Sequence, residues 1–320
     1  MVEVTNLGLC HSTLAGHERT NALELIVQPQ DGIRPLLDAV EKAQKSVDII
    51  IFRFDLKPFE KALEAAVGRG VAVRALIAHT NAGGEKRLRE LELRMLKAGI
   101  TVSRTGTELI RYHGKMMIVD RQALHVYGFN FTARDLASRS FGLIARERRV
   151  VQEALRLFEA DAQREEFEPG LDGFVVSPEN AREQLATFLK RAKKSIEIYD
   201  PKVADPGMIR ILHRRAKAGV DVRIIGKVAR QASDLKVQKL SGVRLHVRTI
   251  IRDDEEVFVG SQSLRDLELE ARREVGLITR ESKIVKAIDD VFEADWAKTD
   301  LGRKEIKAHE KELALQEVAM

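Results

Sequence analysis

The sequence predicts an α/β protein made of two consecutive halves of similar design. Three observations carry that reading. Short, nearly all-apolar stretches such as residues 47–52 and 71–78 alternate with amphipathic ones, as expected for strands buried on both faces between helices. The alternation runs twice along the chain, and segments recur. Ala43-Gln-Lys-Ser-Val-Asp-Ile-Ile50 returns as Ala192-Lys-Lys-Ser-Ile-Glu-Ile-Tyr199, and Arg69-Gly-Val-Ala-Val-Arg74 as Ala218-Gly-Val-Asp-Val-Arg223, both 149 positions on. Finally, 320 residues are too many for one small core and suit two ordinary domains.

In order, residues 1–23 read as an irregular arm. A strand over 23–27 precedes a helix over 32–45 with Ile33, Leu36, Leu37 and Val40 on one face. A strand over 47–52, a helix over 57–69 and a strand over 71–78 follow. His79-Thr-Asn-Ala-Gly-Gly84 reads as a loop, and no Lys-Ser/Thr follows its glycine pair to make a phosphate cradle. His79 and Arg111 are candidates for the border of a site. A charged helix over 85–98 and a strand over 100–104 lead to a motif strand. Residues 129–136 lead into a helix, 142–145 into a return strand, and 148–163 into a helix closing the first half. Pro169, Gly170 and Gly173 mark 164–173 as the boundary. The second half, opened by Phe174, reads as helix 179–194, strand 195–199, helix 207–217 and strand 220–225. A hairpin over 243–251 and 256–259 and a helix over 283–299 complete it. Residues 302–320 form a charged amphipathic tail. The expected units are thus 1–23, 24–163, 174–299 and 300–320.

Composition narrows the function. The 44% hydrophobic and 32% charged shares are those of a soluble globular chain. A net charge of +5 and a pI near 9.2 favour an anionic partner. Aromatic residues at 5% make stacking platforms for single strands scarce, and no dense basic run marks a duplex track, so nucleic acid is the less favoured anion. Cys10 is the sole cysteine, which excludes an internal disulfide and a cysteine-based zinc site and fits a reducing compartment. Cys10, His11 and His17 match no standard metal-ligand spacing. No apolar run approaches the ~20 residues needed to span a bilayer, and residues 1–23 lack the apolar core of a signal peptide. A cytoplasmic protein with at most peripheral membrane contact is expected.

The chemistry is concentrated in Tyr112-His-Gly-Lys-Met-Met-Ile-Val-Asp120, followed by Tyr127-Gly-Phe-Asn130. On a strand, His113 and Lys115 project from one face and Asp120 from the other. An imidazole beside a fixed cation suits an anionic reaction centre. A second copy follows in Leu245-His-Val-Arg-Thr-Ile-Ile-Arg-Asp253 and Gly260-Ser-Gln-Ser263. His113 to His246, Lys115 to Arg248, Asp120 to Asp253 and Asn130 to Ser263 are all steps of 133. Gly99 precedes His113 by 14 residues and Gly242 precedes His246 by 4, so a loop before His246 is expected to be missing.

This spacing, His-x-Lys-x4-Asp-x6-Gly-Ser/Gly-x-Asn, resembles the phospholipase D superfamily over residues 24–296. The sequence departs from that pattern at Tyr127 (usually Gly), Arg248 (Lys) and Ser263 (Asn). Glu274 matches the acid that in the family orients a histidine, and Ser140 holds the equivalent place in the first half. The resemblance implies two α-β-α sandwich repeats packed face to face about a pseudo-twofold axis. It also implies cleavage or transfer of a phosphodiester through a phosphohistidine, with no metal or other cofactor. The nucleophile would be His113, whose motif is the more intact, and His246 the acid and base. Lys115, Arg248 and Asn130 would hold the phosphoryl oxygens, helped by Ser261 and Ser263. Glu274 would orient a histidine, while Asp120 and Asp253 tie their strands in place. Phospholipid is the leading substrate. The alternatives are a metal-independent nuclease and a catalytically impaired binding protein. The acceptor, water or an alcohol, and the oligomeric state are left open.

Overall fold

A computed structural model describes residues 22–80, 85–229 and 234–318. The arm with Cys10, His11 and His17 and the Gly83-Gly84 turn lie outside the described residues. The first half comprises β1 (Leu23–Gln28), α1 (Arg34–Glu41), β2 (Ser46–Ile51), α2 (Lys57–Gly68), β3 (Ala72–Ile77), α3 (Glu85–Lys97), β4 (Thr101–Arg104), β5 (Arg111–Tyr112), β6 (Met116–Val119), β7 (Ala123–Tyr127), α4 (Ala133–Leu136), β8 (Ser140–Ala145) and α5 (Arg148–Gln163). The second comprises β9 (Phe174–Ser177), α6 (Ala181–Lys190), β10 (Ser195–Val203), α7 (Pro206–Lys217), β11 (Asp221–Val228), β12 (Lys236–Gln238), β13 (Arg248–Arg252), β14 (Glu256–Gly260), α8 (Asp266–Glu270), β15 (Arg272–Thr279) and α9 (Ser282–Trp296). Helix α10 (Asp300–Val318) ends the chain.

The strands form two sheets of matching order. The first runs β1-β8-β7-β6-β2-β3-β4, and the second β9-β15-β14-β13-β10-β11-β12. Strand β5, from the first half, pairs with β15 of the second sheet, Arg111 opposite Arg272 and Tyr112 opposite Arg273. Alternation along the motif strands decides the layers. Met117 and Val119 face a core shared with α1, α2 and α3. Met116 and Ile118 face a central core with α5, α9 and the inner face of the second sheet. A third core lies between the second sheet and α6 and α7. Each central strand is thus buried on both faces, which is why its residues are apolar without alternation.

Charged residues inside this framework are paired, and the pairs come in matched sets. Arg139 joins Asp295 of α9 at 2.7 Å, and Arg273 of β15 joins Asp161 of α5 at 3.0 Å. Both pairs are buried, and both link one half to the other. Asp120 and Asp253 each close a hairpin at positive φ (54° and 55°) and each accept three backbone N–H bonds. The donors are Gln44, Lys45 and Ser46 for Asp120, and Lys193, Lys194 and Ser195 for Asp253. These amides outweigh burial and hold both carboxyls below their usual pKa.

The structure differs from the sequence reading in four places. The motif strand is broken: β5 ends at Tyr112, β6 begins at Met116, and the two belong to different sheets. The hairpin of the second half starts at Arg248 rather than 243, because Leu245 makes only an isolated bridge to Arg139. The shortening in the second half is not just before His246. The counterpart of β4 in the second sheet is β12, not the stretch after Gly242, and it follows β11 after residues 229–235, whereas residues 78–100, including α3, join β3 to β4. Lastly, β7, β9, β12, α8 and β15 were not expected. β15 opens on Arg-Arg-Glu, which masks a buried strand.

Asp295 also accepts a hydrogen bond from Tyr199 Oη at 2.8 Å. Asp295→Ala leaves Arg139 buried without its carboxylate and is expected to cost roughly 3–5 kcal/mol, read as a lower urea midpoint. Asp161→Ala is expected to behave alike.

Candidate active site

The first motif lies where the chain passes from one sheet to the other, and the second lies between two strands of one sheet, where Leu245 bridges to Arg139 of the first half. His113-Gly-Lys115 makes the crossing from β5 to β6. It is tight enough to favour a glycine, since a Cβ on Gly114 would sit 3.2 Å from Val275 Cγ2 and push that side chain aside. Gly128 is likewise fixed by space, with Ser140 Oγ, Phe141 O and Gly260 O all within 3.3 Å of a Cβ there. The preceding Tyr127, where the resembled pattern has Gly, turns into the outer core instead. Each histidine is held by backbone from the other half: His113 N donates to Arg273 O at 2.8 Å and His246 N to Arg139 O at 3.1 Å.

His113 Nδ1 lies 2.8 Å from both carboxylate oxygens of Glu274 on β15. With the proton on Nδ1 donated to Glu274, Nε2 keeps its lone pair. Lys115 Nζ donates to the His113 carbonyl at 2.7 Å and stands over the ring, 2.9 Å from Nδ1 and 3.1 Å from Nε2. Phe52 meets the imidazole at right angles, centroids 4.4 Å apart. Glu274 is 0% exposed, Lys115 1% and His113 9%. Burial pushes the imidazole down to about 4 and the ammonium down to about 7, and Glu274 opposes both shifts. Glu274 would itself rise on burial, but His113 and Lys115 hold it at about 2. At neutral pH, His113 is therefore neutral and Glu274 ionised.

The second motif is held differently. Arg248 is half-buried, with Nε 3.4 Å from Ser263 Oγ and a buried Nη1 without a hydrogen-bond partner. His246 Nδ1 is also buried without one. Ser140, in the place matching Glu274, offers no carboxylate, and its Oγ is unpartnered too. His246 Nε2 stands 3.6 Å from Asp135 Oδ2, past hydrogen-bond length. Burial and Arg248 push His246 down to about 2 against the pull of Asp135. The two motifs share one field, since Arg248 depresses His113 and Lys115 depresses His246.

The remaining expected residues divide into three groups. Asn130 donates from Nδ2 to Asp135 Oδ2 at 2.6 Å and leaves Oδ1 unpartnered. Ser261 is turned to β15, where its Oγ accepts from Val275 N at 3.2 Å and bonds Glu274. Ser263 sits between Arg248 and buried Asp200. Asp120 and Asp253 stand at the opposite ends of β6 and β13 from the histidines. Asp135 and Arg244 went unremarked in the sequence. Arg244 joins Asp135 at 2.8 Å, and Asp135, held at about 2 against burial by His246, Arg244 and Asn130, anchors this side of the site. A signal existed: Asp135 follows Asn130 by five residues, as Glu268 follows Ser263.

The buried bases set a pH dependence. His113 and His246 have folded pKa values of about 4 and about 2, below the 6.5 of the unfolded chain. Between pH 6.5 and 4 the unfolded chain therefore binds more protons, and stability falls as pH falls. Lys115 adds a gain as pH rises from about 7 toward 10.5. Glu274 and Asp135 act only below their unfolded values of 4.5 and 3.8, on the way to about 2. Urea midpoints are expected to drop between pH 6.5 and 5 by the order of 1 kcal/mol per pH unit per histidine. His246→Gln is expected to flatten that drop.

The profile of a family described as "Cardiolipin synthase, PLD-like domain" matches residues 36–162 and 185–296. No curated protein matches. Among solved structures, the chain is similar to polyphosphate kinase from Porphyromonas gingivalis (TM-score 0.70, 21% identity, 85% of this chain and 46% of that one). It is also similar to phosphatidylserine synthase from Haemophilus influenzae (TM-score 0.68, 9% identity, 85% of each chain). The chain spans less than half of the kinase, and both likenesses concern the fold alone. With the profile matched in both halves, the chain belongs to the cardiolipin synthase-type PLD-like domain family of the phospholipase D superfamily.

Proposed function

We propose that the protein cleaves or transfers phosphodiesters through a phosphohistidine on His113, with residues 24–163 and 174–299 each supplying one motif. The observation that carries this reading is the Glu274–His113 bond at 2.8 Å. It crosses between the halves, favours the tautomer with its proton on Nδ1 and leaves the Nε2 lone pair facing Lys115. Neutral Nε2 attacks phosphorus, and the bond from phosphorus to the leaving alkoxide breaks. The imidazolium character that develops is stabilised by Glu274. Lys115 and the unpartnered Nη1 of Arg248 take the non-bridging oxygens. His246 is neutral in the free site. An anionic phosphodiester placed among Lys115, Arg248 and His246 offsets the charges that depress it, so it gains a proton on binding and gives it to the alkoxide. It then takes a proton from water or an alcohol, which displaces His113 from phosphorus.

A second reading, a binding protein with impaired chemistry, is favoured by the unsupported Nδ1 of His246 and by Arg248 in a lysine slot. Steady-state assays on a chromogenic diester separate the two. His113→Asn is expected to lower kcat/KM by at least about a thousandfold, EDTA to leave the wild type unchanged, and Arg248→Lys to raise kcat. Wild-type turnover no faster than His113→Asn would establish the binding reading, and loss of activity with EDTA would contradict the metal-free route.

A further inference from the structure

The junction is not charged evenly on its two sides. Arg111 lies two residues before His113 and is paired in register with Arg272, which lies two before Glu274. Residues two apart share a face of a strand, roughly 6.6 Å apart, so both guanidiniums line the flank of the His113–Glu274 pair. Arg53 lies on the same flank, its Cζ 5.6 Å from the Phe52 ring that packs on His113. Among the described residues no carboxylate is within salt-bridge distance of Arg53 or Arg111. Arg272 has Glu268 at 2.8 Å, but Glu268 also holds Arg265, and the Nε atoms of both arginines are buried without a partner. Burial and the charges of Arg272 and Arg53 pull the Arg111 pKa down.

The opposite side of the duplicated scaffold serves as an internal control. Arg244 stands two before His246, as Arg111 stands two before His113. It is neutralised by Asp135 at 2.8 Å and donates to Ser138 Oγ at 2.9 Å. Ser138 occupies the place of Arg272. The same backbone therefore carries a closed ion pair on one side and, on the other, Arg111 facing an Arg272 that shares its one carboxylate, Glu268, with Arg265. Arg53 is exposed, Arg111 half-buried and Arg272 buried, and like charges drawn together at such an edge are unfavourable unless an anion answers them.

We propose that Arg53, Arg111 and Arg272 form a second anion subsite beside His113, which takes a phosphate adjoining the one attacked. The inference rests on His113 being the reaction centre. The substrate class is then one with consecutive phosphates, joined by an anhydride or through one sugar, rather than a diester with a single phosphate. Lys115 and Arg248 hold the reacting group, while the arginine flank holds its neighbour and sets which end of the substrate departs.

Calorimetric titration of the full chain with four probes at fixed ionic strength tests this: orthophosphate, pyrophosphate, thymidine 5′-monophosphate and thymidine 3′,5′-bisphosphate. Each doubly charged-group probe is compared with its single-phosphate partner. A gain of about tenfold for pyrophosphate identifies the anhydride-linked source, and for the bisphosphate the sugar-linked one. Arg53→Ala and Arg111→Ala, both at solvent-accessible positions, are expected to remove that gain while changing orthophosphate affinity less than twofold. No gain for either probe, or a gain untouched by both substitutions, overturns the proposal. Because the readout is binding, His113→Asn serves as the separating control. If that variant binds the probes with the same gain but also turns over diesters normally, the phosphohistidine reading fails while the subsite stands.

Discussion

Two imidazoles, an ammonium and a guanidinium share a junction with little exposed surface, and the carboxylate of Glu274 is the group that makes this tolerable. Removing charges from water is costly, and burial correspondingly lowers His113, Lys115 and His246. Glu274 offsets part of that cost for the first motif, and Ser261 in turn bonds Glu274. The second motif has no such acid, because Ser140 stands where one would be. The two matching sheets thereby meet in an asymmetric site: one histidine is held in orientation by a carboxylate, and the other is neutral and loosely directed toward Asp135.

The rest of the fold keeps that junction closed. Arg139–Asp295 and Arg273–Asp161 are buried pairs that lock each half to the last helix of the other. Arg139 and Arg273 also supply the carbonyls that hold the two histidine amides. The same two residues thus set both the packing of the halves and the placement of the backbone at the two histidines. The carboxylates of Asp120 and Asp253 act from the far ends of β6 and β13. By capping the starts of β2 and β10 they fix strand registers against which the histidines are positioned.

Much of this was readable in the residues. Apolar runs such as Ser46–Ile51 identified the central strands because burial on both faces leaves a pattern that needs no partner to be recognised. The motif spacing located the histidines because chemistry demands the residues themselves. What was missed depended on contacts distant in sequence. The break between β5 and β6 arises because Tyr112 pairs with Arg273, 161 positions away. β15 begins with arginines and a glutamate whose partners are Glu268, Asp161 and His113, so its polarity hid its burial. The shortening before His246 was misplaced because Gly242 was matched to Gly99, whereas pairing shows that β12 is the counterpart of β4. Asp135 was overlooked because its importance comes from Arg244 and His246 rather than from its neighbours in sequence.

The account stands on His113 as the atom that takes the phosphoryl group. The most direct measurement is to mix the protein with a diester carrying ³²P at the reacting phosphorus, denature it at alkaline pH within the first turnover, and locate the label by peptide mapping. The account predicts label on the peptide containing His113, lost on acid treatment and absent from His113→Asn. Rapid product formation with no protein-bound label, or label on the peptide containing His246 instead, would contradict it.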